Sequence, residues 1–281
     1  MRMSSLAWFG AVGLLLVAAP GCRIEAHTQT QFEDAKQPAK TSTKDWNGEA
    51  ITITNGGVNP VTGSSGVEVT FSSTATKITA QAVFAAHADD DKESDAQAAI
   101  KDAIGTFVIE ETATGFNIKC GHGNSHGSAS QPGSGCKKLT VTLPAGSATK
   151  ALDLTVGNGN GDVNVGSSGE APFVKNLLID NNGAGDVITR ARPVKDAVVV
   201  VTGEFKVAVG LPSDFSAGKV IFTTNDDDPV KANARVITTD FPGMESGSSF
   251  PKAGATADAA ASLNVQSKGL LDDDTVTISK F

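Results

Sequence analysis

A short motif that recurs at a fixed distance is the feature that most constrains the fold of this chain. Gly161-Asp162-Val163 returns 24 residues later as Gly185-Asp186-Val187, and each copy follows an apolar run and a Gly/Asn-rich turn. A second alignment, offset by 68 residues, matches Leu143-Pro144 with Leu211-Pro212. Because 68 residues correspond to about three repeats of the shorter offset, both alignments indicate one structural unit of about 22–24 residues.

From residue 46 onward the sequence has the period of β-strands. Apolar and polar residues alternate in short runs bounded by Gly, Asn and Asp, at residues 51–53, 67–71, 77–83, 107–110, 116–119, 139–143, 152–156 and 177–180. A repeat that holds two or three such strands has the size of one coil of a β-solenoid, which buries its apolar row by stacking on the next coil. We therefore predict an all-β domain over residues 46–281, a β-solenoid resembling a single-stranded β-helix. The alternative is a β-sandwich whose turns are similar by chance.

One segment departs from the strand period. Residues 89–104 begin with acidic side chains, which favour a helix N-terminus, and are followed by Gly105. Their small and branched apolar residues fall on one helical face, namely Ala96, Ala99, Ile100, Ala103 and Ile104. This pattern predicts one helical insertion whose apolar stripe packs on the core of the domain.

Composition excludes one class of partner. The 281 residues carry a net charge of −8 with 19% charged residues, so the chain lacks the basic surface that nucleic-acid binding requires. A hydrophobic fraction of 40% is sufficient for a packed core.

The N-terminus has the pattern of an export signal. Arg2 precedes a 14-residue apolar run, which is too short to span a bilayer comfortably. Cys22 follows Ala19-Pro20-Gly21, and this tetrapeptide resembles the lipobox of bacterial lipoproteins. The resemblance implies a signal peptide over residues 1–21 and palmitate-type acylation of Cys22, which would make the lipid bilayer a partner. Ordinary cleavage near Ala19 is the alternative.

Two further expectations follow from this resemblance. In enteric lipoproteins an aspartate after the acylated cysteine retains the protein in the inner membrane, so Arg23 favours the outer membrane of the cell envelope. Residues 22–45 are polar and without an apolar period, and we predict that they form a flexible tether between the lipid and the domain.

The cysteine count predicts one disulfide. With Cys22 assigned to the lipid, Cys120 and Cys136 remain as an even pair in an exported protein, where disulfides are stable. A zinc site is the rival interpretation, because His122 and His126 lie between the two cysteines. The spacing of these four residues is not that of a familiar zinc motif.

Acidic turns are the weak candidates for a metal site. Asp226, Asp227 and Asp228 form one of three aspartate triplets, and clustered carboxylates could bind calcium. Residues 157–162 are similar to a calcium-binding glycine repeat, but Asn158 and Asn160 stand where glycines belong. Solvated turns are the default interpretation, and we expect no cofactor.

Several of these motifs together resemble a family of bacterial adhesin-like domains. They are Trp46-Asn47-Gly48 before a strand, the Leu-Pro pairs, the Gly-Asp-Val turns and the alternating residues 275–279, and they cover residues 46–281. The resemblance implies a β-roll or β-helix and brings no catalytic residues with it. We therefore expect a non-enzymatic envelope lipoprotein that binds a glycan or a surface protein, or serves as a structural module.

The alternative function is a carbohydrate-active enzyme on a β-helix, a polysaccharide lyase or hydrolase. Such a lyase combines carboxylates with basic residues to remove a proton next to a uronate carboxyl group. Its candidates here are Asp186, Arg190, Arg192 and Lys195.

Overall fold

The computed structural model describes residues 29–33, 37–58, 65–89, 93–121, 133–224, 236–250, 260, 262–268 and 275–281. Cys22, His122, His126 and the triplet Asp226, Asp227 and Asp228 lie outside the described residues, so the predictions for lipidation at Cys22 and calcium at the triplet stay predictions.

The described residues form two large sheets and one helix. Sheet A contains β1 (Gln29–Glu33), β2 (Lys40–Thr41), β4 (Gly66–Ser72), β5 (Thr79–Asp89), β8 (Ser134–Pro144), β10 (Asp162–Val165), β12 (Val187–Arg190), β14 (Val207–Leu211), β16 (Val236–Thr239) and β18 (Thr275–Lys280). Sheet B contains β3 (Ala50–Asn55), β6 (Val108–Glu111), β7 (Gly115–Cys120), β9 (Leu152–Asn158), β11 (Phe173–Asn181), β13 (Arg192–Gly203), β15 (Val220–Thr224) and β17 (Ser262–Ser267). The helix α1 is Glu93–Ile104.

The chain winds as a solenoid, as the repeat predicts. From β7 to β18 successive strands alternate between sheet B and sheet A, so that one strand from each sheet makes one coil. Neighbouring coils pair in parallel, and Val163 of one Gly-Asp-Val repeat is the register partner of Val187 in the other. The repeated turns therefore lie directly beside each other, which excludes the β-sandwich alternative with its Greek-key crossings.

The spatial order of the coils differs from their order in the chain at both ends. The order is β7/β8, β3/β4, β9/β10, β11/β12, β13/β14, β17/β18 and β15/β16. The last coil of the chain is thus inserted between β13/β14 and the outermost coil β15/β16. Both of its strands are hydrogen-bonded on both sides, so the C-terminal coil does not form an end of the stack.

Inward-facing side chains form continuous apolar rows between the two sheets. One row runs through sheet B as Ile53, Val156, Ile179, Val201 and Val265, all with no exposed side-chain surface. The corresponding residues of sheet A join the same hydrophobic cluster. Each coil therefore buries its apolar residues against its neighbours, as a solenoid requires.

The helix lies at the first end of the stack. At the first end α1 packs against β5 and β8, with Ala96, Ile100 and Ala103 buried, and this confirms the predicted apolar stripe. The helix begins at Glu93 and β5 extends to Asp89, so the helix is shorter than the predicted 89–104. In the part of the chain that the structure describes, no helix has the length and apolar character needed to cross a membrane.

At the other end, the edge strand β15 is covered by the loop that follows β16. The Val220 N–H donates to the carbonyl of Ser248, and the Gly247 N–H donates to the carbonyl of Val220, both within 2.8 Å. These bonds occupy main-chain groups that would otherwise offer an edge for the addition of another strand.

Strands begin before the predicted domain boundary at residue 46. Part of the segment predicted as a tether forms β1 and β2, which pair antiparallel with β5. Phe32 packs partly against the core, and the buried Lys137 forms an ion pair with Glu33. A polar sequence can pair in this way because the bonds to the free edge of β5 come from the main chain, and an apolar period is not needed.

A disulfide joins the two strands of the first coil. Cys120 ends β7 and Cys136 lies in β8, with their Cα atoms 5.6 Å apart. Both thiols are used in this bond, so the rival zinc set loses its two sulfur ligands. In the ranges that the structure describes, no cluster of His, Cys, Asp or Glu has the arrangement of a metal site.

A row of buried asparagines links the coils at one corner of sheet B. Asn55, Asn158 and Asn181 are at most 3% exposed. The Nδ2 of Asn55 donates to the Oδ1 of Asn158 at 2.9 Å, and the Nδ2 of Asn158 donates to the Oδ1 of Asn181 at 3.0 Å. The amide of Asn158 also donates to the carbonyl of Gly161 at 2.9 Å. Asn158, which breaks the calcium repeat in sequence, therefore has a structural role between coils.

One inward row of sheet A contains a polar exception. Thr189 lies in register between Val165 and Val209 and is 1% exposed. Its Oγ1 has no hydrogen-bond partner among the described residues. A buried hydroxyl without a partner keeps its desolvation cost without gaining a bond.

We predict that Thr189→Val stabilises the protein, because it replaces this hydroxyl with a methyl group of similar shape. The free energy of unfolding should rise by about 1 kcal/mol, measured from urea midpoints at unchanged m value. Val209→Thr is the matched control and should lower it by a similar amount. Destabilisation by Thr189→Val would contradict the account of this row.

Candidate functional site

An open groove runs along the corner where strands of sheet A end and the chain turns toward sheet B. Two adjoining cavities of about 280 and 310 Å³ form it and share Ser73, Ala145 and Gly146. We call this feature the corner groove. The first cavity is lined by Asp45, Trp46, Asn47, Ser73, Ala75, Thr76, Pro144, Ala145, Gly146, Ser147 and Lys150, and the second by Ser73, Ala145, Gly146, Gly169, Glu170, Ala171, Phe173, Arg190 and Arg192.

Two arginines stand at one end of the corner groove. Arg190 ends β12 and Arg192 begins β13, and the buried Ala191 between them anchors the turn through its N–H bond to the carbonyl of Gly210 at 3.1 Å. This short connection keeps both guanidinium groups at the same corner.

Aromatic rings lie against both guanidinium groups. The Cζ of Arg190 is 4.5 Å from the ring centroid of Phe281. The Cζ of Arg192 is 5.5 Å from the same ring and 5.8 Å from that of Phe173. A cation–π contact does not use the N–H groups of a guanidinium as hydrogen-bond donors, so they stay available to a ligand. The side chain of neither arginine has a hydrogen bond or an ion pair with any residue that the structure describes.

A glycine makes the contact between Arg190 and Phe281 possible. Gly210 lies in β14, between the coil that carries Arg190 and the coil that ends at Phe281. A Cβ at this position would be 2.8 Å from the Cγ of Arg190 and 3.4 Å from the Cδ1 of Phe281. The missing side chain therefore lets two residues from coils on either side meet across it.

One carboxylate shares the cavity with the arginines. Glu170 is exposed on the turn between β10 and β11, and its Oε1 accepts a hydrogen bond from the Oγ of Ser73 at 2.8 Å. It forms no ion pair with Arg190 or Arg192 within the described part of the chain. This cavity thus presents both cationic donors and an anionic acceptor.

At the other end of the corner groove, the polar side chains form hydrogen bonds with other groups of the protein. The Nζ of Lys150 lies 5.0 Å from the ring centroid of Trp46 and donates to the carbonyl of Trp46 at 3.2 Å and to the Oδ1 of Asn47 at 3.3 Å. The Asn47 N–H donates to the Glu49 carboxylate at 2.5 Å, and this bond lowers the pKa of Glu49 below its usual value. Lys150 therefore has fewer N–H groups free to bind a ligand than either of the two arginines.

The residues predicted for a lyase do not converge. Asp186 precedes β12 and Arg190 ends it, which separates them by the length of a four-residue strand, roughly 13 Å. The Oδ1 of Asp162 accepts the Asp186 N–H at 2.9 Å, so this aspartate belongs to the stacked Gly-Asp-Val turns. Lys195 lies in β13 and does not line the corner groove. The structure brings together Arg190 and Arg192 alone of these four.

Several groove residues were not singled out from the sequence. Ser73, Glu170 and Phe173 line the groove, Phe281 contacts its two arginines, and these four residues come from distant parts of the chain and carry no motif. The coil repeat is the signal that could have found them, because residues at equivalent positions of successive coils come to one corner.

Comparisons with known proteins identify no family for this chain. No family of known proteins matches the sequence, and no curated protein matches it. A crystal structure described as a "putative cell adhesion protein from Clostridium sporogenes ATCC 15579" is similar with a TM-score of 0.49 and 13% identity, over 87% of this chain and 99% of that chain. A likeness of this size assigns neither a family nor a function, so the resemblance to adhesin-like domains stays a prediction.

Proposed function

We propose that the protein is a non-catalytic binding module of the bacterial cell envelope and that the corner groove is its binding surface. The observation that carries this proposal is the pair of arginines whose side-chain N–H groups have no partner among the described residues, and which lie against aromatic rings at an open groove. Rings and convergent polar groups in a concave site are the usual features of ligand binding.

The geometry supports binding better than the alternative of a lyase or hydrolase. Such an enzyme needs a base and an acid positioned on the same reacting atoms. Asp186 lies at the opposite end of β12 from Arg190, and the carboxylate beside the arginines, Glu170, is exposed and hydrogen-bonded to Ser73. We therefore propose that this end of the groove holds a ligand without transforming it.

The proposed location follows from the N-terminal motif. Acylation at Cys22 would anchor the chain, with the outer membrane favoured by Arg23. Because β1 begins seven residues after Cys22 and pairs at the edge of sheet A beyond β5, the anchor would join the end of the solenoid that carries α1. Arg190 and Phe281 belong to coils further along the stack, away from that end.

The anchor is tested by labelling cells with radioactive palmitate. We expect the full-length protein to incorporate the label and Cys22→Ala to lose it, because the thiol is the site of acylation. Cys136→Ala is the matched control for loss of a cysteine and should retain the label. Unchanged labelling of Cys22→Ala would contradict lipid attachment at this residue.

The binding surface is tested with a tryptophan that fills the junction of the two cavities. Ser73→Trp should abolish retention of the protein on an array of neutral, carboxylated and sulfated saccharides, because Ser73 lines both cavities. Thr54→Trp is the control, since it adds the same ring at an exposed position of β3 that does not line the groove.

Mass spectrometry of the retained saccharides completes this test. We expect the wild-type protein and Thr54→Trp to be retained and every saccharide to be recovered intact. Cleaved saccharides, equal retention of Ser73→Trp, or no retention of the wild-type protein would each contradict the proposal.

A further inference from the structure

We infer that the Arg190–Arg192 end of the corner groove binds the carboxylate groups of an acidic polysaccharide. This inference rests on the proposed function and names the ligand class of the same site. It is carried by the geometry of the two guanidinium groups, by their charge within an acidic protein, and by the carboxylate and hydroxyl beside them.

The two guanidinium groups are positioned to donate hydrogen bonds to an oxyanion. The rings of Phe281 and Phe173 lie within 5.8 Å of the guanidinium carbons, and the described residues leave the side-chain N–H groups of both arginines without a partner. A planar guanidinium edge donates two parallel hydrogen bonds to a carboxylate. Because the rings restrict the orientation of the arginines before a ligand arrives, less side-chain entropy is lost on binding.

The charge of the site is opposite to that of the whole protein. The chain has a net charge of −8, yet two arginine side chains that form no ion pair with any described residue line this cavity. Cations in an open concave site attract an anionic group, and added salt weakens this attraction. A neutral ligand would leave this charge uncompensated.

The neighbouring groups favour a saccharide over a dense polyanion. Glu170 lies in the same cavity and would repel closely spaced negative charges, while its free oxygen can accept a hydrogen bond from a hydroxyl. A chain of sugar acids offers carboxylates separated by hydroxyl groups. The groove also follows the stack of coils, whose spacing of about 4.8 Å is close to the length of one sugar residue.

Other partners fit the corner less well. The exposed large apolar side chains, Leu178, Ile188 and Val198, lie on strands and do not line the groove. A lipid surface is recognised by a broad cluster of basic residues. The two arginines are the only basic side chains among the described residues that line this end of the groove.

The test measures binding of full-length protein to polygalacturonate and to its fully methyl-esterified form, which has the same backbone without the charge. We expect binding to polygalacturonate that weakens with added salt, and at least roughly 10-fold weaker binding to the ester, since a bond to a charged group is lost.

Three variants assign the contact to this corner. Arg190→Gln and Arg192→Gln should each weaken binding to polygalacturonate by roughly 10-fold or more. Gly210→Ala should also weaken it with no change in charge, because the added Cβ displaces Arg190 from Phe281. Lys195→Gln is the matched control, which removes one exposed charge outside the groove and should have less than about a 2-fold effect.

Several results would overturn the inference. They are equal binding of the ester, equal losses in Lys195→Gln and Arg190→Gln, equal affinity for dextran sulfate, or binding to vesicles of phosphatidylglycerol in place of polygalacturonate. Thermal melts of each variant show whether a loss of binding reflects unfolding. Arg192→Gln changes an exposed position, so it should disturb the folded structure least of the three variants. Retention on a neutral saccharide that Ser73→Trp abolishes, without binding to polygalacturonate, would refute this inference and leave the proposed function standing.

Discussion

The fold depends on parallel coils that are stacked in register. Apolar rows supply most of the driving force, because each coil buries its inward side chains only against its neighbours. The apolar rows are similar in every coil, so they do not by themselves define the register between neighbouring coils. The buried asparagines define it, since hydrogen bonds join the side chains of Asn55, Asn158 and Asn181 from one coil to the next. A shift of two residues would keep the apolar side chains inward and would leave buried amides without partners, at a cost of about 1–3 kcal/mol for each group.

The candidate binding site is a consequence of this register. Arg190 and Phe281 are separated by most of the last third of the chain, and they meet because Gly210 stands between them in the adjacent coil. The insertion of the last coil between β13/β14 and β15/β16 sets the position of Phe281. Had β17/β18 formed the end of the stack, Phe281 would lie one strand spacing, about 4.8 Å, further from Arg190.

Sequence patterns predicted the repeating elements better than the features that are not repeated. The Gly-Asp-Val offset predicted adjacent coils, and Val163 and Val187 are register partners. The spatial order of the coils could not be predicted, because all coils have similar patterns. The sequence period is the same whether or not two coils at an end of the stack exchange places. Strand β1 was missed because main-chain pairing needs no apolar residues. Asn158 was interpreted as a turn residue, since an amide in a Gly-rich turn does not reveal that its partner is one coil away. Of the groove, Arg190 and Arg192 were singled out for a different chemistry, while the rings that orient them carried no signal.

The most direct test of this account is a double-mutant cycle between Asn158 and Asn181. The free energy of unfolding is measured by urea denaturation for the wild-type protein, Asn158→Ala, Asn181→Ala and the double variant. If the two amides bond between stacked coils, the effects will be non-additive, with a coupling free energy of about 1 kcal/mol or more. Effects that add to within about 0.5 kcal/mol would show that these residues do not interact, and would contradict the register on which both the fold and the groove depend.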